Sequence, residues 1–526
     1  MTNDALLDVV PRVQSVTGVA NLLDYRARTH GAKEAVACAG NRVSYSQLCG
    51  RARAIGNQLR KHGVKFGDRV ALFLPNGIDF VATFFAVLGV GAVVVPINPL
   101  LKADEISHIL QDSEASILVV HDALANAALQ TLANAPQLKS VILAGATDVG
   151  ASSRIPQTVR VDELSISTAA ENSDWPVSIQ PETDLGVLVY TSGTTGKPKG
   201  AMLTHHNLLS VFPARLDLFD VDEHDKCLAT LPLCHIYGMT VVMIGTIARG
   251  ATMIVMPKFD ALAALELMER ERITILPAVP AMYSMLLAEI AQNSFELGAI
   301  RLCFSGGSPL STELMPKIES AFGAPVIEGY ALTETACVAT INPLHGARKI
   351  GSVGPAVPGV QIALFDDSGK QVPPGPENVG EIAVKGPNVM VGYYKQPAAT
   401  AEILKDGWFL TGDLGYRDND NYVFIVGRKK ELILRGGANV YPREVEDVIM
   451  QISGVREVAV IGVPDERMGE RVKALVVLDG SRQISEDDVK AHCAERLADY
   501  KVPRIVEYVD SLPRNSTGKV LKRLLK

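Results

Sequence analysis

The sequence predicts an α/β fold with largely parallel sheets, and two observations support this prediction. Short apolar runs alternate with stretches of helical periodicity, such as residues 104–111 and 261–272, and this is the order of βαβ units. The apolar runs are continuous rather than alternating, which is typical of strands covered on both faces. The predicted strands of this first part are residues 70–74, 92–97, 117–120, 141–143, 185–189, 252–256, 274–276 and 302–304.

The chain after residue 351 departs from this pattern. Gly and Pro become frequent, which predicts a β-rich, barrel-like segment with tight turns over residues 351–427. Charged helical stretches and strands then alternate, and they are predicted at residues 443–451, 458–463, 474–478 and 485–497. We therefore predict a large domain over residues 1–427 and a small α+β domain over residues 428–526.

Composition and charge exclude several classes of protein. With 47% hydrophobic and 21% charged residues, the composition is that of a globular protein. The net charge of −7 argues against a nucleic-acid partner. Seven cysteines are scattered without a CxxC pair, and no secretory signal is visible at the start. We expect buried thiols and a cytoplasmic protein, because the last residues, Leu-Leu-Lys, are also no peroxisomal address.

One uncharged run, FVATFFAVLGVGAVVVPI at residues 80–97, invites comparison with a membrane span. A spanning helix needs about 20 apolar residues, and Gly89, Gly91 and Pro96 interrupt this run. We predict a buried helix, a glycine turn and a buried strand here, and no transmembrane segment.

The strongest functional signal is YTSGTTGKPKG, directly after the predicted strand 185–189. Glycines let a backbone approach an anion closely, and its N–H groups then point at phosphate oxygens. Hydroxyls add donors and lysines add charge, so the segment predicts a phosphate-binding loop; a surface turn is the alternative. It is not a Walker A motif, because GxxxxGK[ST] does not occur. The candidate ligands are Thr191, Ser192, Gly193, Thr194, Thr195, Gly196, Lys197 and Lys199.

Other side chains also suit a nucleotide. Within GYALTET, Tyr330 offers an aromatic face for a base, and Thr333 can donate to a phosphate. Glu334 is an oxygen ligand of the kind that Mg²⁺ takes beside substrate phosphates, or else a helix-capping carboxylate. Asp413 can accept both hydroxyls of a ribose; a structural salt bridge with Arg428 is the alternative, and both can hold together.

These segments resemble the adenylate-forming enzymes, which include acyl-CoA synthetases, aryl-CoA ligases, luciferases and peptide-synthetase adenylation domains. TSGTTGKPKG is similar to the phosphate loop of that family, and the other motifs follow in the family's order over nearly the whole chain. They are LPLCHIYGM (231–239), GYALTET (329–335), GWFLTGDLGYRD (407–418), GRKKELILRGGANVYPREVE (427–446) and PRNSTGK (513–519). The resemblance implies two α/β sheet subdomains and a β-rich subdomain in the large domain, with the small domain as a mobile lid.

The resemblance also implies roles for individual residues. ATP and AMP would contact the phosphate loop together with Gly329, Tyr330, Ala331, Thr333, Asp413, Arg428 and Lys519. Glu334 would hold Mg²⁺, and Lys430 would be the hinge between the domains, although a solvated lysine is the simpler interpretation. The acyl substrate would contact His235, Ser305, Gly306 and Gly307, and coenzyme A would contact Arg435, Gly436 and Gly437.

Two of these residues carry the expected chemistry most directly. A carboxylate that attacks the α-phosphate brings two anions together, and Lys519 would neutralise the developing charge, a contribution of roughly 3–4 kcal/mol. A solvated basic tail is the alternative for Lys519. His235 lies among apolar residues and would line or gate the acyl pocket, unless it is a satisfied core histidine. We expect Cys234 beside it to serve packing only.

The resemblance implies an acid–CoA ligase that works in two steps, through an acyl-adenylate and with release of pyrophosphate. Segments 231–243 and 258–287, the second rich in Met, Leu and Ala, resemble medium- and long-chain fatty-acid ligases more than aryl ligases, and this resemblance favours a fatty acid. The only candidate cations for a second carboxylate are Arg270, Arg272 and Arg301, which fall near helix ends or strand starts. An aryl or cyclic acid stays open, as do loading of a carrier protein in trans, a luciferase-type oxygenase and a nucleotide sensor that catalyses nothing.

Three expectations concern partners. Because an apolar substrate partitions into membranes, a peripheral contact of the protein with a membrane surface is one expectation. Formation of a homodimer is another. Because acetylation removes the charge of a lysine, a lysine acetyltransferase acting on Lys519 would stop the first step.

Overall fold

The computed structural model describes residues 18–132, 135–144, 158–160, 175–191, 198–210, 219–514 and 520–525. Its α-helices, in chain order, are α1 (Val19–Thr29), α2 (Tyr45–Lys61), α3 (Ile78–Gly89), α4 (Ala103–Ser113), α5 (Ala125–Leu132), α6 (His205–Ser210), α7 (Gly245–Arg249), α8 (Ala261–Glu271), α9 (Pro280–Ile290), α10 (Leu314–Phe322), α11 (Pro397–Ile403), α12 (Pro442–Ile449) and α13 (Glu486–Ala494). A π-helix over Tyr237–Ile244 leads directly into α7.

The strands fall into four sheets. In chain order they are β1 (Glu34–Cys38), β2 (Asn41–Ser44), β3 (Arg69–Phe73), β4 (Val93–Pro96), β5 (Ile117–His121), β6 (Ser140–Ala144), β7 (Thr158–Arg160), β8 (Leu185–Thr191), β9 (Lys199–Thr204), β10 (Lys226–Ala229), β11 (Thr252–Val255), β12 (Ile275–Ala278), β13 (Leu302–Ser305), β14 (Val326–Tyr330), β15 (Thr340–Ile341), β16 (Gln361–Phe365), β17 (Gly380–Lys385), β18 (Gly392–Tyr393), β19 (Leu404–Lys405), β20 (Trp408–Arg417), β21 (Val423–Arg428), β22 (Ile433–Arg435), β23 (Ala438–Val440), β24 (Val455–Asp465), β25 (Gly469–Leu478) and β26 (Ile505–Tyr508).

Two eight-stranded sheets form the larger part of the molecule. Sheet I has the order β15-β14-β13-β12-β10-β11-β1-β2, and sheet II has the order β18-β9-β8-β4-β3-β5-β6-β7. Neighbouring strands are parallel within both sheets, and antiparallel pairs occur only at edges: β2 and β15 in sheet I, β9 and β18 in sheet II. The predicted α/β fold with largely parallel sheets is confirmed, and each predicted strand lies within two residues of an observed one.

Both sheets are covered on both faces, as their continuous apolar strands predict. The main hydrophobic core lies between sheets I and II and contains α1, α2 and α3. A second core packs α8, α9 and α10 on the outer face of sheet I, and a third packs α4 and α5 on the outer face of sheet II. The sequence of layers is therefore helix, sheet, helix, sheet, helix.

The uncharged run at residues 80–97 lies in the centre of this arrangement. Helix α3 is buried on all sides except at Asp79, and β4 follows after a turn in which Gly91 has a φ of +77°. A helix that is apolar all round belongs in the core of a large protein. Among the residues that the structure describes, no helix is both long and apolar enough to span a bilayer.

The predicted β-rich segment is sheet III, an antiparallel sheet with the order β16-β17-β20-β19 in which β21 also pairs with β20. Sheet IV follows with the order β23-β22-β25-β24, and β26 joins β25 in parallel. Two strands were predicted for this last part, whereas the structure has five. Strands β22 and β23 are three residues long, too short for a period-two pattern to be recognised. The domain boundaries themselves stay a prediction.

All seven cysteines are free thiols, and every one except the half-buried Cys38 is buried. The predicted buried thiols are therefore confirmed for six of the seven positions.

Candidate active site

A cavity of about 1980 Å³ lies where the carboxyl ends of the strands in sheets I and II meet sheet III and α12. Ligands of open α/β sheets bind outside the carboxyl ends of the strands, so the position is the expected one. Most of the predicted site residues line this cavity: Thr191, Lys199, His235, Ser305, Gly306, Gly307, Gly329, Tyr330, Ala331, Thr333, Glu334, Asp413, Arg428 and Lys430.

Other predicted residues fall elsewhere. Outside the described residues lie Ser192, Gly193, Thr194, Thr195, Gly196, Lys197 and Lys519. Arg435, Gly436 and Gly437 are described but do not line the cavity. The guanidinium of Arg435 is buried and donates to the carbonyl oxygens of Asp499 and Tyr500, at 3.3 and 2.8 Å.

The side chains expected to bind the nucleoside are connected by a hydrogen bond and an ion pair. The hydroxyl of Tyr330, at the end of β14, donates to Oδ2 of Asp413 at 2.6 Å. Nε of Arg428 lies 3.1 Å from Oδ1 of the same carboxylate, because residues 413 and 428 are register partners in β20 and β21. Burial by itself lowers the pKa of Arg428, but nearby carboxylates, Asp413 foremost, outweigh it and raise the pKa overall. Thus the predicted salt bridge exists, and it still faces the cavity.

Glu334 lies in a single 3₁₀ turn, Thr333–Thr335, that follows β14. Its side chain is buried at the cavity wall, and its Oε1 accepts a hydrogen bond of 2.7 Å from the hydroxyl of Tyr393. Its other oxygen accepts no hydrogen bond from the described part of the chain. Mg²⁺ is usually held by one or two carboxylates together with substrate phosphates, so this donor set fits a Mg²⁺ ion delivered with ATP. No cluster of three or more metal-binding side chains occurs among the described residues.

Helix α4 holds both ends of the predicted phosphate loop. On the incoming side, the hydroxyl of Tyr190 donates to Asp112 at 2.6 Å. On the outgoing side, Nε2 of His108 donates to the carbonyl oxygen of Pro198 at 3.0 Å, and its ring meets Tyr190 edge to face. The ammonium of Lys199 lies 5.2 Å from the ring centroid of Tyr393. The loop is therefore anchored at the two points where it leaves and re-enters sheet II.

The part of the cavity predicted to bind the acyl substrate follows the π-helix on the inner face of sheet I. His235 precedes it, and the backbone N–H of Tyr237 donates to Nδ1 of His235 at 3.3 Å. Burial lowers the pKa of His235 to about 4, so the ring is neutral at pH 7 and carries its proton on Nε2. A side chain at residue 306 would meet the ring of Tyr237, with 3.3 Å between Cβ and the ring, so Gly306 leaves space beside the aromatic wall.

An apolar branch of the cavity extends from this point along the inner face of sheet I. Its walls are Cys227, Val241, Thr246, Ala251, Ile275 and Phe304. Cys234 and Cys337 also line the cavity, and burial raises the pKa of Cys227 and of Cys234 to about 12. None of the three arginines considered for a second carboxylate lines the cavity. The guanidinium of Arg301 is already paired with Asp225, at 2.5 Å.

The charged side chains at and around α12 were not identified from the sequence. Glu328, on β14, is buried at the cavity wall and accepts a hydrogen bond of 3.1 Å from the backbone N–H of Leu310. Burial raises its pKa to about 7, although the cation of Arg443 on α12 opposes the shift. Lys522 lies 2.6 Å from Glu446 of the same helix. The burial of Glu328 and the pairing of Lys522 with Glu446 depend on segments that are distant in the sequence, so a single sequence gives no signal for them.

Comparison with known proteins agrees with this geometry. Residues 23–394 match the family model described as AMP-binding enzyme, and residues 444–519 match the AMP-binding enzyme C-terminal domain. A long-chain-fatty-acid–CoA ligase of Bacillus subtilis (strain 168) is 35% identical, with 94% of this chain and 91% of the relative covered. A feruloyl-CoA synthase of Amycolatopsis sp is 40% identical, with 94% and 96% covered. The crystal structure of ATP-bound MatB from Rhodopseudomonas palustris superposes with a TM-score of 0.83 at 36% identity, over 96% of this chain and 98% of that one.

Proposed function

The chain belongs to the family of AMP-binding enzymes and is an AMP-forming acid–CoA ligase that uses ATP, Mg²⁺ and coenzyme A. From that premise, we propose that its acid substrate is a monocarboxylic acid with a medium or long apolar tail. The observation that carries the proposal is the apolar branch of the cavity, which reaches from Ser305 down the inner face of sheet I to Ile275.

The length of that branch supports a linear tail. Ser305 pairs with Ala278, and Ile275 pairs with Leu302, so the branch follows three residues of strand, or about 10 Å. A carbon chain with bonds of about 1.5 Å rises by about 1.3 Å per carbon. About eight carbons therefore fit between the reacting carboxylate and Ile275. Burying them contributes about 0.8 kcal/mol for each methylene group.

The absence of a cation along the branch supports a tail without a second charge. Lys258, which follows β11, lines the cavity as an exposed residue but is not among the walls of the branch, and Arg301 is paired with Asp225. A carboxylate buried without a partner costs several kcal/mol. A dicarboxylic acid is therefore a poor occupant of the branch formed by the described residues.

In the first step, the carboxylate oxygen of the acid attacks the α-phosphorus of ATP, and the bond to pyrophosphate breaks. We assign the base to Tyr330, the ribose to Asp413 and Arg428, and the α-phosphate to Thr333. Bound Mg²⁺, held by Glu334, would neutralise phosphate charge. The neutral His235 offers its Nε2–H as a donor to the acid, and Lys519 would stabilise the charge that develops between acid and phosphate.

In the second step, the sulfur of coenzyme A attacks the acyl carbon of the adenylate, and AMP leaves as the thiol proton is lost. We propose that the small domain rotates between the steps about Lys430. This residue lies in the 3₁₀ turn Lys429–Glu431, between β21 of sheet III and β22 of sheet IV. The rotation would bring the turn at Gly436 and Gly437, now away from the cavity, towards the adenylate.

An aryl acid is the second candidate, and a specific observation favours it. The feruloyl-CoA synthase relative has the higher identity of the two reported above. In addition, Oγ of Ser305 is buried at the cavity wall without a hydrogen-bond partner in the described part of the chain. A polar substituent on a ring could accept from it.

Release of pyrophosphate, measured with and without coenzyme A for a panel of acids, tests these proposals. The panel contains butanoate, octanoate, dodecanoate, hexadecanoate, ferulate, benzoate and malonate. We expect the highest kcat/KM with octanoate to hexadecanoate, and product formation that depends on coenzyme A. A preference for ferulate or benzoate would establish the aryl alternative, and transfer only to a carrier protein would refute the use of coenzyme A.

The compartment, the oligomeric state and the acetylation of Lys519 remain predictions. The free cysteines are in keeping with a reducing compartment such as the cytoplasm. Homodimer formation is checked by sedimentation, and acetylation of Lys519 by mass spectrometry of protein from its native cell.

A further inference from the structure

One side chain, Tyr393, contacts two charged groups that come from different sheets. Its hydroxyl donates to Oε1 of Glu334 at 2.7 Å, and Glu334 follows β14 of sheet I. The ammonium of Lys199, at the start of β9 in sheet II, lies 5.2 Å from its ring centroid. All three residues line the cavity. Tyr393 therefore contacts both the carboxylate expected to hold Mg²⁺ and a lysine expected to bind phosphate.

Neither contact prevents the charged group from binding a ligand: Glu334 can still bind a metal ion, and Lys199 can still bind phosphate. A carboxylate has about four acceptor sites, so one phenolic donor fixes its rotamer and leaves oxygen lone pairs for a cation. Hydrogen bonds of this kind orient metal ligands in many sites. An aromatic ring within about 6 Å attracts an ammonium but does not neutralise it, so Lys199 keeps its charge and its N–H donors. Lys199 and Glu334 are not ion-paired with each other, which would have cancelled both charges.

The backbone around Tyr393 is well anchored. Its N–H donates to Oγ1 of Thr400 at 2.9 Å, and residue 393 pairs with Ala201 in β9. The next N–H, of Tyr394, donates to the carbonyl oxygen of Gly200 at 2.8 Å. The short strand β18 is thus paired with β9, the strand that follows the phosphate loop, so the backbones of Tyr393 and Lys199 are held in one sheet.

We propose that Tyr393 is a positioning residue for MgATP: its hydroxyl orients Glu334 towards the metal ion, and its ring orients Lys199 towards the phosphates. This inference rests on the proposed function. It assigns to Tyr393 two separable effects, one that depends on the metal ion and one that does not. The hydroxyl acts only on the metal-dependent part of ATP binding, whereas the ring acts on the binding of ATP itself.

Calorimetric titration with ATP, once with excess Mg²⁺ and once with EDTA, separates these effects in the full-length protein. For the wild type we expect Mg²⁺ to tighten ATP binding. In Tyr393→Phe the ring remains, so metal-free binding should change less than twofold, while the tightening by Mg²⁺ falls about tenfold. In Tyr393→Leu the metal-free affinity should fall as well. Tyr394→Phe is the matched control, because that hydroxyl bonds to Glu114 outside the cavity, at 3.1 Å.

The outcomes distinguish the inference from its premise. An equal effect of Mg²⁺ on wild type and Tyr393→Phe would overturn the positioning role. Failure of the wild type itself to bind MgATP would overturn the proposed function. Thermal unfolding of each variant is measured alongside; a Tyr393→Phe variant that unfolds like the wild type and loses the Mg²⁺ effect supports the inference. Loss of metal-free and metal-dependent binding by the same factor in Tyr393→Phe would indicate a merely structural role and contradict it.

Discussion

The hydroxyl of Tyr330 and a carboxylate oxygen of Asp413 are 2.6 Å apart, and the two residues belong to different sheets. Tyr330 ends β14 in sheet I, and Asp413 lies in the middle of β20 in sheet III. Arg428 holds the other oxygen of the same carboxylate. The carboxylate expected to bind the ribose is therefore oriented from both sides by protein side chains.

Removal of that hydroxyl should weaken nucleotide binding specifically. Tyr330→Phe keeps the ring for the adenine and deletes a hydrogen bond to a charged group, which contributes roughly 1.5 kcal/mol or more. We expect KM for ATP to rise about tenfold, since about 1.4 kcal/mol corresponds to a factor of ten, and kcat to change less. Steady-state kinetics with varied ATP provides the measurement. Tyr416→Phe, on the same strand as Asp413, is the control, and an equal rise in both variants would contradict the prediction.

Lys519 should be needed for only one of the two half-reactions. Lys519→Ala removes the cation expected between carboxylate and α-phosphate, so adenylate formation, measured as pyrophosphate exchange, should fall by 10²-fold or more, on the order of 3 kcal/mol. Thioester formation from supplied acyl-AMP and coenzyme A should be largely retained. The acetylated protein should behave in the same way. Equal loss of both half-reactions would show that Lys519 does not act in the first step alone.

The π-helix offers a direct test of the substrate proposal. Val241 lies one turn beyond Tyr237 and faces the apolar branch. Val241→Trp should block the branch, so that kcat/KM for hexadecanoate falls at least tenfold while butanoate is little affected. Val241→Ala leaves the branch open and should retain the wild-type order of chain lengths. If Val241→Trp lowers the rates for all chain lengths equally, the tail does not occupy this branch.

Much of this arrangement could be predicted from the sequence because its determinants are local. The buried strand β8 and the glycine- and lysine-rich loop that follows it are contiguous, so their pattern is readable. By contrast, the bond between Tyr393 and Glu334 joins residues 59 positions apart, and nothing near either residue signals the other. The burial of Glu328 was likewise not evident, because the groups that face it, the backbone N–H of Leu310 and the cation of Arg443, belong to other segments of the chain.

The pair Gly436 and Gly437 shows how a motif can carry two explanations. The resemblance assigned both residues to coenzyme A. The structure shows a two-residue hairpin turn between β22 and β23, in which φ is +58° and +82°. Both positions are left-handed, as a type I′ turn requires, and glycine is favoured there whatever the ligand. The turn alone therefore accounts for the glycines, and the role towards coenzyme A stays a prediction.

Glu328 should make stability depend on pH. Its pKa is about 7 in the folded protein and 4.5 in an unfolded chain, so its neutral form stabilises the fold below pH 4.5, and this contribution is lost as pH rises through 7. The full difference is about 3 kcal/mol. Glu328→Gln cannot ionise, so its melting temperature relative to wild type should rise between pH 5 and pH 8. The exposed Glu266→Gln is the control, and a pH-independent difference for Glu328→Gln would contradict the assignment.

The cysteines in the cavity wall are thiols that could react with the activated acyl group. The enzyme forms an activated acyl group and transfers it to the thiol of coenzyme A. Two other thiols, those of Cys227 and Cys234, line the same cavity. Only the thiolate is a strong nucleophile, and with a pKa of about 12 only about one in 10⁵ of each side chain is a thiolate at pH 7. We therefore expect burial to keep these two thiols from being acylated by the adenylate.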